Sequence, residues 1–226
     1  MLYDETAVKD NLRNRDGKRV FYLGKEDHLT PSARDWLTRE RVSILPAEEA
    51  RITRYRLPGG GFCEEKPEHM THLQADVLVA KTHPRIAFRG QVDLLEAELI
   101  LCELKTGISE VQEVLHLARR LIRCDVLDEP VGEFTLGGLT EAQQRRQSHF
   151  PQEVFGIAHF MPEAEDGQNI AWLNRCRAIC RGAELAACHA FADREGNPTR
   201  VDILQALNRM SSYLYILMLQ EKTKKG

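Results

Sequence analysis

Arg177, Arg181 and Glu184 stand four and three residues apart in a stretch with helical periodicity, so they project from one helical face. Two guanidinium groups at that spacing repel each other unless an anion lies between or beyond them. The pair therefore asks for a phosphate group or carboxylates, or else belongs to an ordinary surface cluster of ion pairs. In Asn208-Arg209-Met210-Ser211-Ser212, polar groups interrupt an otherwise apolar helix, and a buried amide there needs a partner from the bundle or from a ligand. Lys81-Thr82-His83-Pro84-Arg85 places cations at a helix start, where the positive end of the dipole also favours an anion. Asp93 is a carboxylate among Val92, Leu94 and Leu95; a pairing with Arg177 would account for both charges.

Long amphipathic helices are needed to hold these groups. Pro84 to Lys105 and Val111 to about Leu127 carry apolar residues at mixed three and four spacing, with Ser109 as the expected cap of the second. Gln168 to Ala192 and Arg200 to about Lys222 repeat the pattern, and four such helices make a bundle. The connection from about 130 to 166 carries a short helical piece at Glu141–Gln147 and the run His159-Phe160-Met161-Pro162. The first sixty residues differ. Phe21-Tyr22-Leu23 and Val42-Ser43-Ile44-Leu45 are strand-like, Thr30-Pro31 opens a short helix through Trp36 and Leu37, and Pro58-Gly59-Gly60-Gly61 reads as a linker. The expectation is an all-α helical bundle over residues 61–226, with a small α+β N-terminal arm over 1–60.

A chain of 226 residues with 42% hydrophobic and 29% charged residues supports one large domain and excludes wholesale disorder. Its net charge of -3 offers no footprint for nucleic acid. No apolar run approaches the roughly 18 to 20 residues of a membrane helix, and the polar first residues do not resemble a signal peptide, so a cytoplasmic protein is expected. Cys63, Cys102, Cys124, Cys176, Cys180 and Cys188 read as reduced thiols. Cys176 and Cys180 share a helical face without the further ligands a zinc site needs, which favours core packing. The charge run Glu221–Lys225 reads as a frayed, solvated tail.

Several pieces in order resemble the ATP:cob(I)alamin adenosyltransferases. Thr71-His72-Leu73, Val79-Ala80-Lys81, Pro84-Arg85-Ile86 and Val92-Asp93-Leu94-Leu95-Glu96-Ala97 are similar to that family's T-x-L, R-V-x-K, P-R-V and V-D-E-L-N-A succession. Arg177-Ala178-Ile179-Cys180-Arg181-Gly182-Ala183-Glu184 resembles A-R-T-x-x-R-R-A-E, and Leu207-Asn208-Arg209-Met210-Ser211-Ser212 resembles L-N-R-L-S-D. The likeness spans about residues 66 to 222 and is nearest to the ethanolamine-utilisation type. Shared marks of that type are Lys66-Pro67, Asp125 with Asp128-Glu129-Pro130, Ser148-His149, Asp202 to Arg209, and Leu29 to Arg34.

The resemblance implies transfer of the adenosyl group of ATP to the cobalt of cob(I)alamin, with Mg²⁺ accompanying the nucleotide. It implies a homotrimer with active sites between subunits, in which Arg177 pairs with Asp93 across the interface. By position, Lys81, Arg85, Arg181 and Asn208 would bind ATP, and Glu184 would orient the arginines or Mg²⁺. The family's glycine-rich phosphate loop is replaced by Lys66-Pro67-Glu68-His69-Met70-Thr71, so Lys66 and Thr71 would take over part of the grip. Leu127 stands where many relatives carry an aromatic under the corrin. The H-x11-C-C-x2-C metal motif of some ethanolamine-type members is absent; Cys63, His69 and His72 fall short of four ligands, and no transition metal is expected. Implied partners are a flavin-dependent reductase and an adenosylcobalamin-dependent ammonia-lyase, in the cytoplasm or a bacterial microcompartment. Two other readings stay open: a module that binds ATP or adenosylcobalamin without turnover, and a docking protein of an ethanolamine-degrading assembly.

Overall fold

Short runs of β-branched and aromatic residues, each cut off by glycine, proline or a charged pair, make the first part of the chain a set of short strands. The computed structural model describes residues 1–15, 17–50 and 54–224 and divides into two compact units, Met1–His83 and Pro84–Gly226. In the first unit β1 (Leu2–Tyr3), α1 (Glu5–Asp10), β2 (Arg13–Arg15), β3 (Lys18–Leu23) and β4 (His28–Leu29) precede α2 (Pro31–Arg39). Then follow β5 (Ser43–Pro46), β6 (Tyr55–Arg56), β7 (Phe62–Cys63), β8 (Met70–Gln74) and β9 (Val77–Ala80). Strands β1 and β4 pair in parallel, and the other seven form one sheet in the order β5-β3-β2-β7-β6-β9-β8.

Thr30 caps α2 by accepting a hydrogen bond from the Ala33 amide at 3.3 Å, with Pro31 at the first helical position. That fixes the helix so that Ala33, Trp36 and Leu37 pack with Val8, Phe21 and Val42 as the core of this unit. The glycine run is a turn between β6 and β7, inside the unit. Gly61 has φ +79° and a Cβ there would lie 2.6 Å from the Leu12 carbonyl, so only glycine fits.

The expected all-α class with a small arm is overturned. Among the described residues nine strands form the two sheets, and the fold is α+β. Residues 62–80, expected to belong to the helical-bundle domain, carry the strands β7, β8 and β9. Strands of two to five residues are too short to print a period of two, and their hydrogen-bond partners lie elsewhere in the chain.

The second unit is helical, and here the apolar spacing does define the elements. In α3 (Pro84–Thr106) Phe88, Val92, Leu95, Leu99 and Cys102 are buried, and in α4 (Val111–Leu127) Val114, Leu117, Ala118 and Leu121 are. Glu110, not Ser109, occupies the cap of α4, without a side-chain bond. The connection folds into α5 (Glu141–His149), whose Thr140 and Gln143 form a capping box, and α6 (Pro151–Phe155). Then α7 (Gln168–Ala190) packs between α3 and α8 (Val201–Thr223). Helix α8 is most deeply buried over its apolar run Tyr213–Leu219 and packs against α4, α5, α6 and α7. The terminal charge run belongs to α8 as far as Thr223, and Lys224 bonds Glu221 at 2.6 Å; Lys225 lies outside the described residues. Cys176 and Cys180 are buried, each thiol donating to a backbone carbonyl, of Glu98 and Leu207 respectively.

Candidate functional site

Helical spacing brings one group of expected residues together. Arg177, Arg181 and Glu184 repeat at i, i+4 and i+7 on α7, and Asn208, Ser212 and Tyr215 repeat the same way on α8. Where these faces meet, a cavity of about 480 Å³ opens. Arg177, Arg181, Asn208, Ser211, Ser212 and Tyr215 line it from the two long helices. Ser148 and His149 at the end of α5, with His159, Phe160 and Met161 of the following connection, complete the wall.

Each polar group in the wall has a defined setting. Arg177 is half-buried; its Nε and Nη2 donate to Asn174 Oδ1 at 3.2 and 3.1 Å, and its guanidinium lies 5.9 Å from the centre of the Tyr215 ring. Burial first, and the charge of Arg181 second, lower the Arg177 pKa, so an anion in the cavity would relieve both penalties. Arg181 is exposed and has no hydrogen-bond or ion-pair partner among the described residues. Asn208 Nδ2 donates to Glu184 Oε1 at 3.2 Å. Asn208 is exposed rather than the buried amide its helix context suggested. Tyr215 OH lies 3.2 Å from His159 Nδ1 and accepts from the Phe160 amide at 3.4 Å, while His159 Nε2 lies 3.1 Å from the His149 carbonyl. These bonds pin the 159–161 segment against α8.

Asp93, Arg85 and Leu127, of the same unit, do not line this cavity. Asp93 is exposed on α3 and forms no ion pair among the described residues. Arg85 is engaged: its Nε donates to Asp125 Oδ1 and its Nη2 to the Asp125 carbonyl, both at 2.7 Å, and Arg89 Nε holds the other carboxylate oxygen at 2.6 Å. Leu127 is 55% exposed at the C-terminal end of α4. In the first unit, Thr71 pairs with Val79 across β8 and β9, and the Lys81 amide bonds the His69 carbonyl at 2.9 Å, which puts Thr71, His69 and Lys81 on one face of that hairpin. Lys66 lines a separate cavity of about 410 Å³ with Cys63, His69 and Met70. Cys63 is buried and donates to the Glu65 carbonyl; burial, followed by the charge of Glu64, raises its pKa. His72 bonds the Ala75 carbonyl at 3.0 Å and meets Tyr55 edge-on.

Sequence reasoning missed Asn174 and Tyr215 as site residues. Tyr215 could have been found as the next position on the Asn208 face. Asn174 is one turn before Arg177, and nothing in its neighbours singles it out.

A cavity walled by two adjacent arginines, an amide, hydroxyls and aromatic rings suits a ligand that carries both phosphate groups and a planar ring. Comparison with known proteins shows the family of the chain. The family model described as cobalamin adenosyltransferase matches residues 62–221. The corrinoid adenosyltransferase EutT of Salmonella typhimurium is 31% identical over 97% of this chain and 92% of its own length. The protein of that name from Escherichia coli is 35% identical over the same shares. Among solved structures, a variant of a PduO-type ATP:corrinoid adenosyltransferase from Lactobacillus reuteri, complexed with cobalamin and ATP, is similar in fold. It has a TM-score of 0.53 and 19% identity, covering 70% of this chain and 89% of that one. A second variant of that enzyme gives a TM-score of 0.51 at 17% identity, with 91% of that chain covered.

Proposed function

The chain belongs to the cobalamin adenosyltransferase family, and from that premise we propose that it transfers the adenosyl group of ATP to cob(I)alamin in the setting of ethanolamine utilisation, with the cavity between α7 and α8 as its nucleotide site. The observation that carries the placement is Arg181: a cation beside a second arginine, in a cavity wall, without a partner among the described residues. The reduced cobalt of the corrinoid substrate attacks the 5′ carbon of ATP, and negative charge grows on the departing triphosphate. Arg177 and Arg181 oppose that charge where it develops, and their positions are set before the ligand arrives, Arg177 by Asn174 and Tyr215. The aromatic side of the wall, Phe160 and Tyr215, offers a surface to the adenine ring.

Mg²⁺ neutralises phosphate charge when bound. It commonly takes one or two carboxylates and completes its shell with phosphates and water, and Glu184, beside Asn208, is the carboxylate that suits this. Lys66, Thr71 and Lys81 serve the phosphate grip in place of the family's glycine-rich loop. Arg85 acts through its ties to Asp125. Leu127, exposed with Val126 at the end of α4, offers the corrin an apolar contact.

The functional unit in this proposal is a homotrimer. Exposed Ala97, Ile100, Leu101 and Leu104 continue the face of α3 that carries Asp93, and Leu185 continues the Arg181 face of α7. A second copy covering that surface would bring a carboxylate to Arg177. No described helix is long and apolar enough to cross a membrane. The proposed partners are a flavin-dependent reductase and an adenosylcobalamin-dependent ammonia-lyase, in the cytoplasm or a microcompartment.

An anaerobic assay with ATP, Mg²⁺ and chemically reduced cob(I)alamin tests the function, and the absorbance change of cobalt–carbon bond formation is expected. A folded sample that binds ATP yet gives no turnover, beside a working reductant control, would establish the binding-module reading instead.

A further inference from the structure

Arg209 is the one arginine of α8's interior, 7% exposed, and nothing in the proposed chemistry uses it. Its Nη2 donates to Asn208 Oδ1, while its Nε and Nη1 are buried and have no partner among the described residues. The nearest charges are Glu141 and Arg145 on α5 and Glu184 on α7, and none forms an ion pair with it. A guanidinium in this state is costly to bury, and a methionine of similar length would suit the core better. Stability alone does not account for arginine at this position.

The pattern at Asn208 supplies a reason. A guanidinium only donates hydrogen bonds, and an ionised carboxylate only accepts them. The Asn208 amide is bonded to one of each, Arg209 at its oxygen and Glu184 at its nitrogen. The reversed amide would set oxygen against carboxylate and NH2 against guanidinium. One of its two orientations is therefore strongly preferred.

We propose that Arg209 is a positioning residue that, together with Glu184, holds the Asn208 amide in a single orientation toward the cavity, so that the ligand meets an amide already set. The ligand in question rests on the nucleotide reading of the cavity; the orientation itself does not.

The experiment uses Arg209→Met and, should that variant fail to fold, Arg209→Gln, which removes the charge but keeps a polar end. In ligand-free protein labelled with ¹⁵N-asparagine, the Asn208 side-chain resonances are identified by their loss in Asn208→Ala. In the Arg209 variant these resonances should shift and exchange faster with solvent, without a fall in melting temperature. Binding of ATP with Mg²⁺, measured by calorimetry, should weaken about tenfold in the variant and less than twofold when Asn208 is already alanine. Arg209→Lys, which keeps a donor, should restore much of the affinity. Unchanged Asn208 resonances in a folded Arg209→Met or Arg209→Gln variant would overturn the proposal, as would an equal loss of ATP affinity with and without Asn208. If the unaltered chain binds no ATP, the nucleotide reading falls, while the resonances still decide the role of Arg209.

Discussion

The Nε of Arg85 and the carboxylate of Asp125 lie 2.7 Å apart, and the carboxylate is wholly buried. Arg85 joins α3 to α4 through this bond, and Arg89, one turn on, closes the second carboxylate oxygen. The acid is thus matched by two guanidinium groups and needs no water. Asp125→Ala removes the buried carboxylate that both arginines hold at a helix junction and should cost about 3 to 5 kcal/mol. Urea unfolding of the purified variant measures this, and Asp125→Asn, which keeps an acceptor oxygen for one arginine but sets an NH2 against the other, should lose only somewhat less.

Arg181 has to grip phosphate oxygens with a planar fork, so Arg181→Lys should be harmful although the charge is kept. Loss of one such contact in the transition state is worth on the order of 3 kcal/mol, or about a hundredfold in rate. Steady-state kinetics with ATP and cob(I)alamin read this directly. Near-normal turnover would reduce Arg181 to a surface charge.

Asp93 is exposed in the single chain and makes no ion pair among the described residues, so its removal has little to act on there. Any large effect of Asp93→Ala must come through a second copy. Loss of one member of a pair buried between subunits costs about 3 to 5 kcal/mol, and the assembly should dissociate at lower dilution while turnover falls. Sedimentation across a concentration series is the measurement, and unchanged mass with unchanged rate would exclude the interface role.

Cys63→Ala should leave oligomer mass and turnover intact, with Mg²⁺ as the only metal required. Burial raises the pKa of this thiol, and its hydrogen goes to the Glu65 carbonyl, so little thiolate is present at neutral pH to bind a soft metal. Stoichiometric zinc or iron in purified protein, lost together with activity in the variant, would refute this.

Asp202 bridges Arg200 and the Val131 amide, and the Arg200 hydrogen bond, outweighing burial, lowers its pKa from 3.8 to about 2. A carboxylate whose pKa is depressed on folding contributes stability that is complete above its ordinary value and is lost as the pH falls through the lowered one. Between about pH 4 and pH 2 the chain should therefore lose stability more steeply than Asp202→Asn does. Thermal melts of both proteins across that window compare the slopes.

Much of the second unit was legible in the sequence, because a long helix writes its own period. The spacing of Phe88, Val92, Leu95 and Leu99, and of Cys176, Cys180, Ala183 and Ala187, marks the buried stripes without knowledge of what they pack against. The same local rule put Arg177, Arg181 and Glu184 on one face, and the order of motifs around them identified the chemistry.

Tertiary structure decided the rest. The strands of the first unit bond to partners distant in the chain, Arg13 with Phe62 and Arg56 with Val77, and pieces this short carry too few side chains to declare a face. Arg85, whose expected ATP contact came from its place in the family's motif, also bonds an aspartate forty residues away, a contact that only the packing of α3 on α4 could make. Tyr215 and His159 became neighbours in one cavity wall for a similar reason. Helical periodicity can say which way a side chain faces, but only the folded chain says what stands opposite it.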